Sequence, residues 1–128
     1  MKLETLLVIN AVVAVVFGIA FVIVPGLVIP LYGAEATAPV KYTGQLFGAA
    51  LVGFAVLAWA ARKAAESEAR RAIVLAFAVS FVVGLVVSLI GQLRGVVNAL
   101  GWSTVIIYLF FTLGYGYFQF ARRPEQQP

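Results

Sequence analysis

Residues 5–24 read TLLVINAVVAVVFGIAFVIV, an apolar stretch without a charged residue that ends at Pro25. A helix needs about 20 apolar residues to cross the roughly 30 Å hydrocarbon core of a bilayer, so this stretch has the length of one membrane-spanning helix. Backbone N–H and C=O groups in lipid need internal partners, and the stretch is too long and too uniformly apolar for a barrel strand. Three similar stretches follow, at residues 42–61, 72–93 and 102–121. The sequence therefore predicts four transmembrane helices.

The composition places most of the chain in lipid. Of the 128 residues, 63% are hydrophobic and 11% are charged, and the mean hydropathy is +1.05. A soluble domain is typically about 45–50% apolar and about 25% charged. A chain of this length forms one compact domain and could not bury so much apolar surface in water. We expect a single all-α domain over residues 1–128, a four-helix transmembrane bundle with up-down topology.

Lysine and arginine are unequally divided between the two ends of the predicted bundle. Only Lys41 and Arg94 lie at one end, which we call the outer end. The other end collects the remaining seven, which are Lys2, Arg62, Lys63, Arg70, Arg71, Arg122 and Arg123. The positive-inside rule places the richer end in the cytoplasm. We expect a multi-pass protein of the bacterial inner (plasma) membrane with both termini cytoplasmic (N-in/C-in), its first segment retained as a helix rather than cleaved.

Several function classes are disfavoured by the residues that are missing. The chain has no cysteine and no histidine, and its one methionine is Met1, so the usual thiolate, imidazole and thioether ligands of metals and haem are absent. The five glutamates fall on helix starts, loops and the tail, with no pair expected to converge. The basic residues form no stripe for nucleic acid. We therefore expect no enzyme, no cofactor, no metal and no nucleic-acid partner.

Small residues at four-residue spacing mark the expected helix-packing faces. Helices in lipid associate through close packing of small side chains and a few hydrogen bonds. The second stretch offers Gly44 and Gly48, and the third offers Ala76, Ser80, Gly84 and Ser88. We expect these residues, with Asn10, Ala14 and Gly18 on the first helix and Tyr108, Thr112 and Gly116 on the fourth, to face other helices, and Val, Leu, Ile and Phe to face lipid. The alternative is that the small polar faces line a pore.

The connections differ in character. The outer connection, residues 25–41, contains two early prolines that forbid a long helix, so we expect it to lie in the membrane interface, anchored by Leu27, Ile29 and Tyr32. The inner connection, residues 62–71, is rich in helix formers. Its Glu66 and Arg70 have i,i+4 spacing, so we expect an ion pair there and a continuation of one neighbouring helix.

One outer-end cluster suggests a binding site. Lys41, Arg94, Ser103 and Thr104 all lie where helices two and four begin or helix three ends. The positive ends of two helix dipoles and the two basic side chains could together hold an anion or a lipid headgroup. The alternative is structural, with Arg94 reaching to the interface beside a helix C-terminus and Lys41 pairing with Glu35.

Diffuse motifs spread over most of the chain carry a family resemblance. They are Pro25 with Leu31-Tyr32-Gly33, Gly44-x-x-x-Gly48-Ala49, Ala61-Arg62 and Asn98-x-x-Gly101-Trp102. The layout resembles small bacterial four-helix membrane proteins of unknown function, loosely DoxX-like. The resemblance implies a four-helix membrane fold and transfers no activity and no catalytic residue.

The leading functional hypothesis is a non-catalytic integral membrane subunit or scaffold that associates with lipids and other membrane helices through its small-residue faces. Such a chain would be a homo-oligomer or part of a larger membrane complex. One alternative is a small oligomeric channel or carrier for an anion or a neutral solute, lined by Asn, Ser, Thr and Tyr side chains. No Asp, Glu, Lys or Arg lies within the predicted helices, which disfavours an exchanger with a central carboxylate. Another is a pigment- or quinone-associated subunit, which would have to hold its ligand through Asn, Gln or backbone groups.

Overall fold

The computed structural model describes residues 1–121 and is helical throughout, without a strand in that range. The elements are α1 (Leu3–Ile23), α2 (Pro25–Leu31), α3 (Ala38–Ala61), α4 (Glu68–Leu93) and α5 (Gly101–Gly116), which ends in a π-helical turn (Tyr117–Ala121). Four helices are long and apolar enough to cross a membrane: α1, α3, α4 and α5 with its π-helical turn. The predicted all-α fold with four spanning helices is confirmed. Arg122 and Arg123, counted above in the basic cluster, lie outside the described residues.

Two spanning helices begin earlier than hydropathy alone indicates. Helix α3 begins at Ala38 rather than at residue 42, after Thr37, whose hydroxyl accepts a hydrogen bond from the Val40 N–H at 3.4 Å. Helix α4 begins at Glu68 rather than at residue 72, after Ser67, whose hydroxyl accepts from the Arg70 N–H at 3.2 Å. Both residues act as N-caps. The first turns of α3 and α4 carry charged side chains, which a search for apolar stretches leaves out.

The outer connection contains a short helix that was not predicted. Pro25 occupies the first turn of α2, where its missing N–H is not needed, and Pro30 comes only in the last turn. The interfacial anchors expected here differ from one another. Leu27 is exposed, but Ile29 is buried against Gly44 of α3 and Tyr32 is half-buried, so the anchoring role of Ile29 is wrong. The connection is therefore folded onto the bundle.

The spanning helices pack as two helical hairpins. The first hairpin consists of α1 packed against α3, with α2 in the connection between them, and the second consists of α4 packed against α5. Within each hairpin the backbones approach closely, whereas between the hairpins the contacts are made mainly by large side chains. In the first hairpin, Gly18 and Gly48 permit this approach, and the Gln45 side-chain amide donates to the Val22 carbonyl at 3.1 Å.

Aromatic rings form a large part of the core between the hairpins, together with leucine and alanine side chains. Phe77 and Phe81 of α4 are buried, with ring centroids 5.4 Å from Phe54 and 4.7 Å from Phe111 respectively. The expectation that phenylalanine faces lipid is therefore wrong for these rings. Ala76 is exposed, so it does not pack against another helix of this chain, and its packing against a partner helix stays a prediction. The reason is that α4 stays far enough from the first hairpin for rings to fill the space.

The inner connection is ordered by charge pairs. Glu66 lies 3.8 Å from Arg70, the expected pair, and 3.0 Å from Arg71. The Arg62 guanidinium lies 3.8 Å above the Trp59 ring and also donates to the Trp59 carbonyl at 2.6 Å. Helix α3 thus ends at Ala61, before the inner connection begins, whereas α4 begins at Glu68 and so extends into it.

Candidate ligand cavity between the hairpins

A cavity of about 210 Å³ lies between the two hairpins. Its wall is formed by α1, α3, α4 and α5, with one residue from the outer connection. The lining residues are Asn10, Val13, Ala14, Phe17, Phe21, Tyr32, Phe47, Leu51, Phe54, Phe81, Thr104, Ile107, Tyr108 and Phe111. All but four are apolar, and six of them are phenylalanine. The cavity is therefore an apolar space with few polar groups, the usual composition of a small-molecule site.

The cavity exists because the rings that separate the hairpins do not fill the space evenly. Toward the inner end, Phe81 stacks on Phe111 and on Tyr115, with ring centroids 4.7 and 5.8 Å apart, and Phe77 packs beside them. Further out, α1 presents the small side chain of Ala14 to the same space. The stacked rings close the inner side, and the cavity lies on their outer side.

A buried hydrogen bond lies at the inner side of the cavity. The Asn10 side chain, 1% exposed, donates through Nδ2 to the hydroxyl of the fully buried Tyr115 at 2.8 Å. This bond joins the first hairpin to the second at a depth where water is excluded. Among the described residues, no hydrogen bond is donated to the side-chain oxygen Oδ1 of Asn10. Asn10 therefore brings a polar group with unused hydrogen-bonding capacity to an otherwise apolar wall.

Three hydroxyl groups are carried by other residues of the wall. They belong to Tyr32, Thr104 and Tyr108, and none of them hydrogen-bonds to a partner within residues 1–121. The Tyr108 ring is held against the backbone of Gly84, so closely that any Cβ at Gly84 would overlap it. A hydroxyl both donates and accepts, so these groups can bind an oxygen-bearing ligand without carrying charge.

The outer connection borders the cavity through Tyr32 and is tied to the second hairpin by Asn98. The Asn98 side-chain amide donates to the Leu31 carbonyl at 3.0 Å, and its backbone N–H donates to the Tyr32 carbonyl at 2.8 Å. Gly33 turns the chain here with a φ of 82°, a conformation that favours glycine. Tyr32, which borders the cavity, is thereby held at its backbone.

The four residues of the predicted outer anion site are separated by the structure. Lys41 lines a different groove, beside Pro25 and Tyr42, whereas Thr104 lines the cavity. The Ser103 hydroxyl donates to the Leu100 carbonyl at 2.6 Å, and the exposed Arg94 ends α4. Within the described range both ion pairs are made by Glu66, so the alternative pairing of Lys41 with Glu35 is wrong.

The residues of the predicted packing faces also have different environments. Gly48 is buried against α1, and Gly44 lies beside Phe21. Gly84 lies under the Tyr108 ring, and the Ser88 hydroxyl donates to its own helix at the Leu85 carbonyl at 3.1 Å. Ser80 is half-buried and Ala76 is exposed.

The sequence reasoning missed the cavity itself and the pairing of Asn10 with Tyr115. One signal was present, because Asn10 is the only amide side chain within the first apolar stretch. In the part of the chain that the structure describes, no group of three carboxylate, thiol or imidazole side chains could hold a metal ion.

Comparison with known proteins supplies a family. No curated protein and no solved structure matches the chain. One family pattern matches residues 1–120, nearly the whole sequence, and carries no link to DoxX-like proteins. The chain, with its four helices able to span a membrane and its aromatic cavity, therefore belongs to the family described as a domain of unknown function, DUF8292.

Proposed function

We propose that this membrane protein binds one small lipid-soluble molecule in the cavity between its hairpins. The observation that carries the proposal is the lining: six phenylalanines around an uncharged space, with Asn10 at one side and three hydroxyls elsewhere. An apolar aromatic lining with a few polar groups is the composition by which small-molecule sites bury a ligand and fix its orientation. No carboxylate, lysine or arginine lines the cavity, which supports binding without catalysis.

The size and the polar groups indicate the class of ligand. An engineered protein cavity of about 150 Å³ accommodates benzene, so about 210 Å³ suits a somewhat larger molecule, such as a fused two-ring aromatic. Aromatic walls favour a flat ring, and the hydroxyl and amide groups favour a ligand with one or two oxygens. The ligand class is therefore a phenol or quinone. This is the quinone-associated alternative from the sequence, with the ligand held by Asn10 and hydroxyls.

Binding of 2-naphthol to the protein in lipid nanodiscs tests the proposal. We expect saturable binding of one molecule per chain above the background of empty nanodiscs. Naphthalene, which lacks the hydroxyl, is expected to bind about two- to tenfold more weakly, because one hydrogen bond contributes about 0.5–1.5 kcal/mol.

A pair of matched variants locates the binding. Ala14→Leu adds three carbons to the cavity wall and is expected to weaken 2-naphthol binding by about tenfold or more, an overpacking effect. Val16→Leu, on the lipid-facing side of the same helix and 60% exposed, is the control and should leave binding unchanged. Equal effects of the two variants, or binding that never exceeds empty nanodiscs, would remove the proposal.

A second candidate function, a scaffold in a larger membrane assembly, is favoured by one surface feature. Ala49 and Gly53 of α3 are exposed at four-residue spacing, and a Cβ at Gly53 would meet nothing within 4 Å. Such a small-residue groove admits the backbone of another membrane helix. Gly53→Leu would fill the groove, and a shift to smaller particles in mild detergent would support the assembly.

We also propose that both termini face the cytoplasm of a bacterial cell. The division of the basic residues, seven against two, supports this orientation.

A further inference from the structure

Hydrogen bonds join the two hairpins at two levels within residues 1–121. One level is the bond between Asn10 and Tyr115, beside the cavity. The other is at the outer end, where Asn98 bonds to the outer connection. We call residues 25–37, which comprise α2 and the segment that leads to α3, the outer strap. The inner level thus lies beside the cavity, and the outer level holds the backbone of Tyr32, whose side chain borders it.

Asn98 is well fixed in the second hairpin. Its Oδ1 accepts from the Leu100 N–H at 3.0 Å, and its backbone carbonyl accepts from the Gln92 side-chain amide at 3.1 Å. Its remaining groups hold the strap, through the carbonyls of Leu31 and Tyr32. One residue therefore connects a rigid helix end to the strap residue whose side chain borders the cavity.

The two levels differ in their exposure to water. Asn10 and Tyr115 are fully shielded, so breaking their bond leaves a buried polar group without a partner. Asn98 is exposed, and water can replace its bonds to the strap at a small net cost. The hairpins should therefore part at the outer end while the inner level stays closed.

We propose that Asn98 is a latch that keeps the outer strap across the cavity, and that its release opens the cavity to water at the outer end so that ligand can be loaded there. The identity of the ligand that enters the cavity rests on the function proposed above. The opening itself does not, because it can be measured without any ligand.

A cysteine-accessibility experiment tests the latch, and the natural chain, which lacks cysteine, gives a clean background. Ala14→Cys places a reporter in the cavity wall at a position that is 4% exposed. Val16→Cys places a control about 3 Å further along α1, on the lipid-facing side. The protein is held in nanodiscs and treated with a charged methanethiosulfonate, which does not enter hydrocarbon. Both faces are accessible there, so the result is independent of orientation.

Two latch variants separate the strap contact from the local turn. Asn98→Asp keeps an acceptor for the Leu100 N–H but loses the side-chain donor to the Leu31 carbonyl, whereas Asn98→Ala loses both of these side-chain groups. The backbone bond to the Tyr32 carbonyl remains in both variants. We expect both to raise the labelling rate of Ala14→Cys by about two- to tenfold, the range for one lost hydrogen bond, and to leave Val16→Cys unlabelled.

Unchanged labelling of Ala14→Cys in both variants would overturn the latch, as would equal increases at Ala14→Cys and Val16→Cys, which would mean general loosening of the bundle. If the Asn98 variants raise the labelling of Ala14→Cys but the protein does not bind 2-naphthol, the latch stands and the proposed ligand is removed. The two failures are therefore distinguishable.

Discussion

Gly18 and Gly48 lie against each other across the α1–α3 contact, where a Cβ at Gly48 would come within 2.7 Å of the Gly18 carbonyl oxygen. Real Cβ atoms essentially never come so close to another atom, and here the neighbour is backbone, which cannot move aside cheaply. The first hairpin therefore depends on the absence of a side chain at this position, as expected for helices that associate in lipid by close approach.

Replacing Gly48 with alanine is expected to lower the free energy of unfolding by about 1–3 kcal/mol, the usual range for overpacking. The matched control is Gly53→Ala in the same helix, where the new Cβ meets nothing within 4 Å. That change should be neutral or should stabilise by up to about 1 kcal/mol, because alanine is the better helix former. Reversible unfolding in mixed micelles with increasing dodecyl sulfate, followed by circular dichroism, measures both. Similar losses for the two variants would contradict the role of the contact.

The bond between Asn10 and Tyr115 is expected to couple the hairpins energetically. Tyr115→Phe and Asn10→Leu should each lower the free energy of unfolding by about 0.6 kcal/mol, the average for hydrogen bonds between membrane helices, and by no more than about 1.7 kcal/mol, the largest value. The double variant should cost less than the sum, because neither polar group is then left buried without its partner. A double-mutant cycle on the same unfolding assay gives the coupling energy. Strictly additive losses would show that the bond contributes nothing.

Gly84 is expected to control the shape of the cavity through Tyr108. In Gly84→Ala the added methyl group overlaps the Tyr108 ring, and moving the ring changes the cavity wall that it forms. The affinity for 2-naphthol should fall by about fivefold or more, the lower end of an overpacking effect. Gly91→Ala in the same helix, where a Cβ meets nothing within 4 Å, should bind like the natural protein. Adding Tyr108→Leu to Gly84→Ala removes the overlapping ring, so any stability lost in Gly84→Ala should be recovered. The double variant also lacks the Tyr108 hydroxyl, so its contact with the ligand is not restored.

The orientation can be measured with single cysteines in whole cells. Glu35 lies in the outer connection and Ala65 in the inner connection, and both are exposed. An impermeant thiol reagent added outside intact bacteria is expected to label Glu35→Cys and to leave Ala65→Cys unlabelled until the cells are broken. The opposite pattern would overturn the orientation inferred from the basic residues.

The four spanning helices could be predicted because crossing a bilayer is a local property of the sequence, set by the length of each apolar run. The first residues of α3 and α4 were harder to predict, because Thr37 and Ser67 cap first turns that contain charged residues. The short helix α2 was not predicted because two prolines forbid a long helix. Pro25 stands in the first turn, where a helix tolerates proline, and Pro30 lies inside the helix near its end, so the helix stays short.

The cavity could not be predicted for a different reason. Which face of α4 is buried depends on how far apart the hairpins lie, and small residues and phenylalanines both occur on that helix at helical spacing. The structure buries Phe77 and Phe81 and exposes Ala76. Likewise, the contact of Asn98 with Leu31 joins residues far apart in the chain, a pairing that no local pattern contains.

The division into two close-packed hairpins has a consequence for how the chain is made. Each hairpin contains its own close interhelical contact, and the turn between Ala61 and Glu68 interrupts no spanning helix. During synthesis the first hairpin can therefore insert and pack before α4 leaves the ribosome, and docking of the second hairpin then completes the cavity wall. By the same logic, the two halves produced as separate polypeptides, cut within that turn, are expected to reassemble into a working whole.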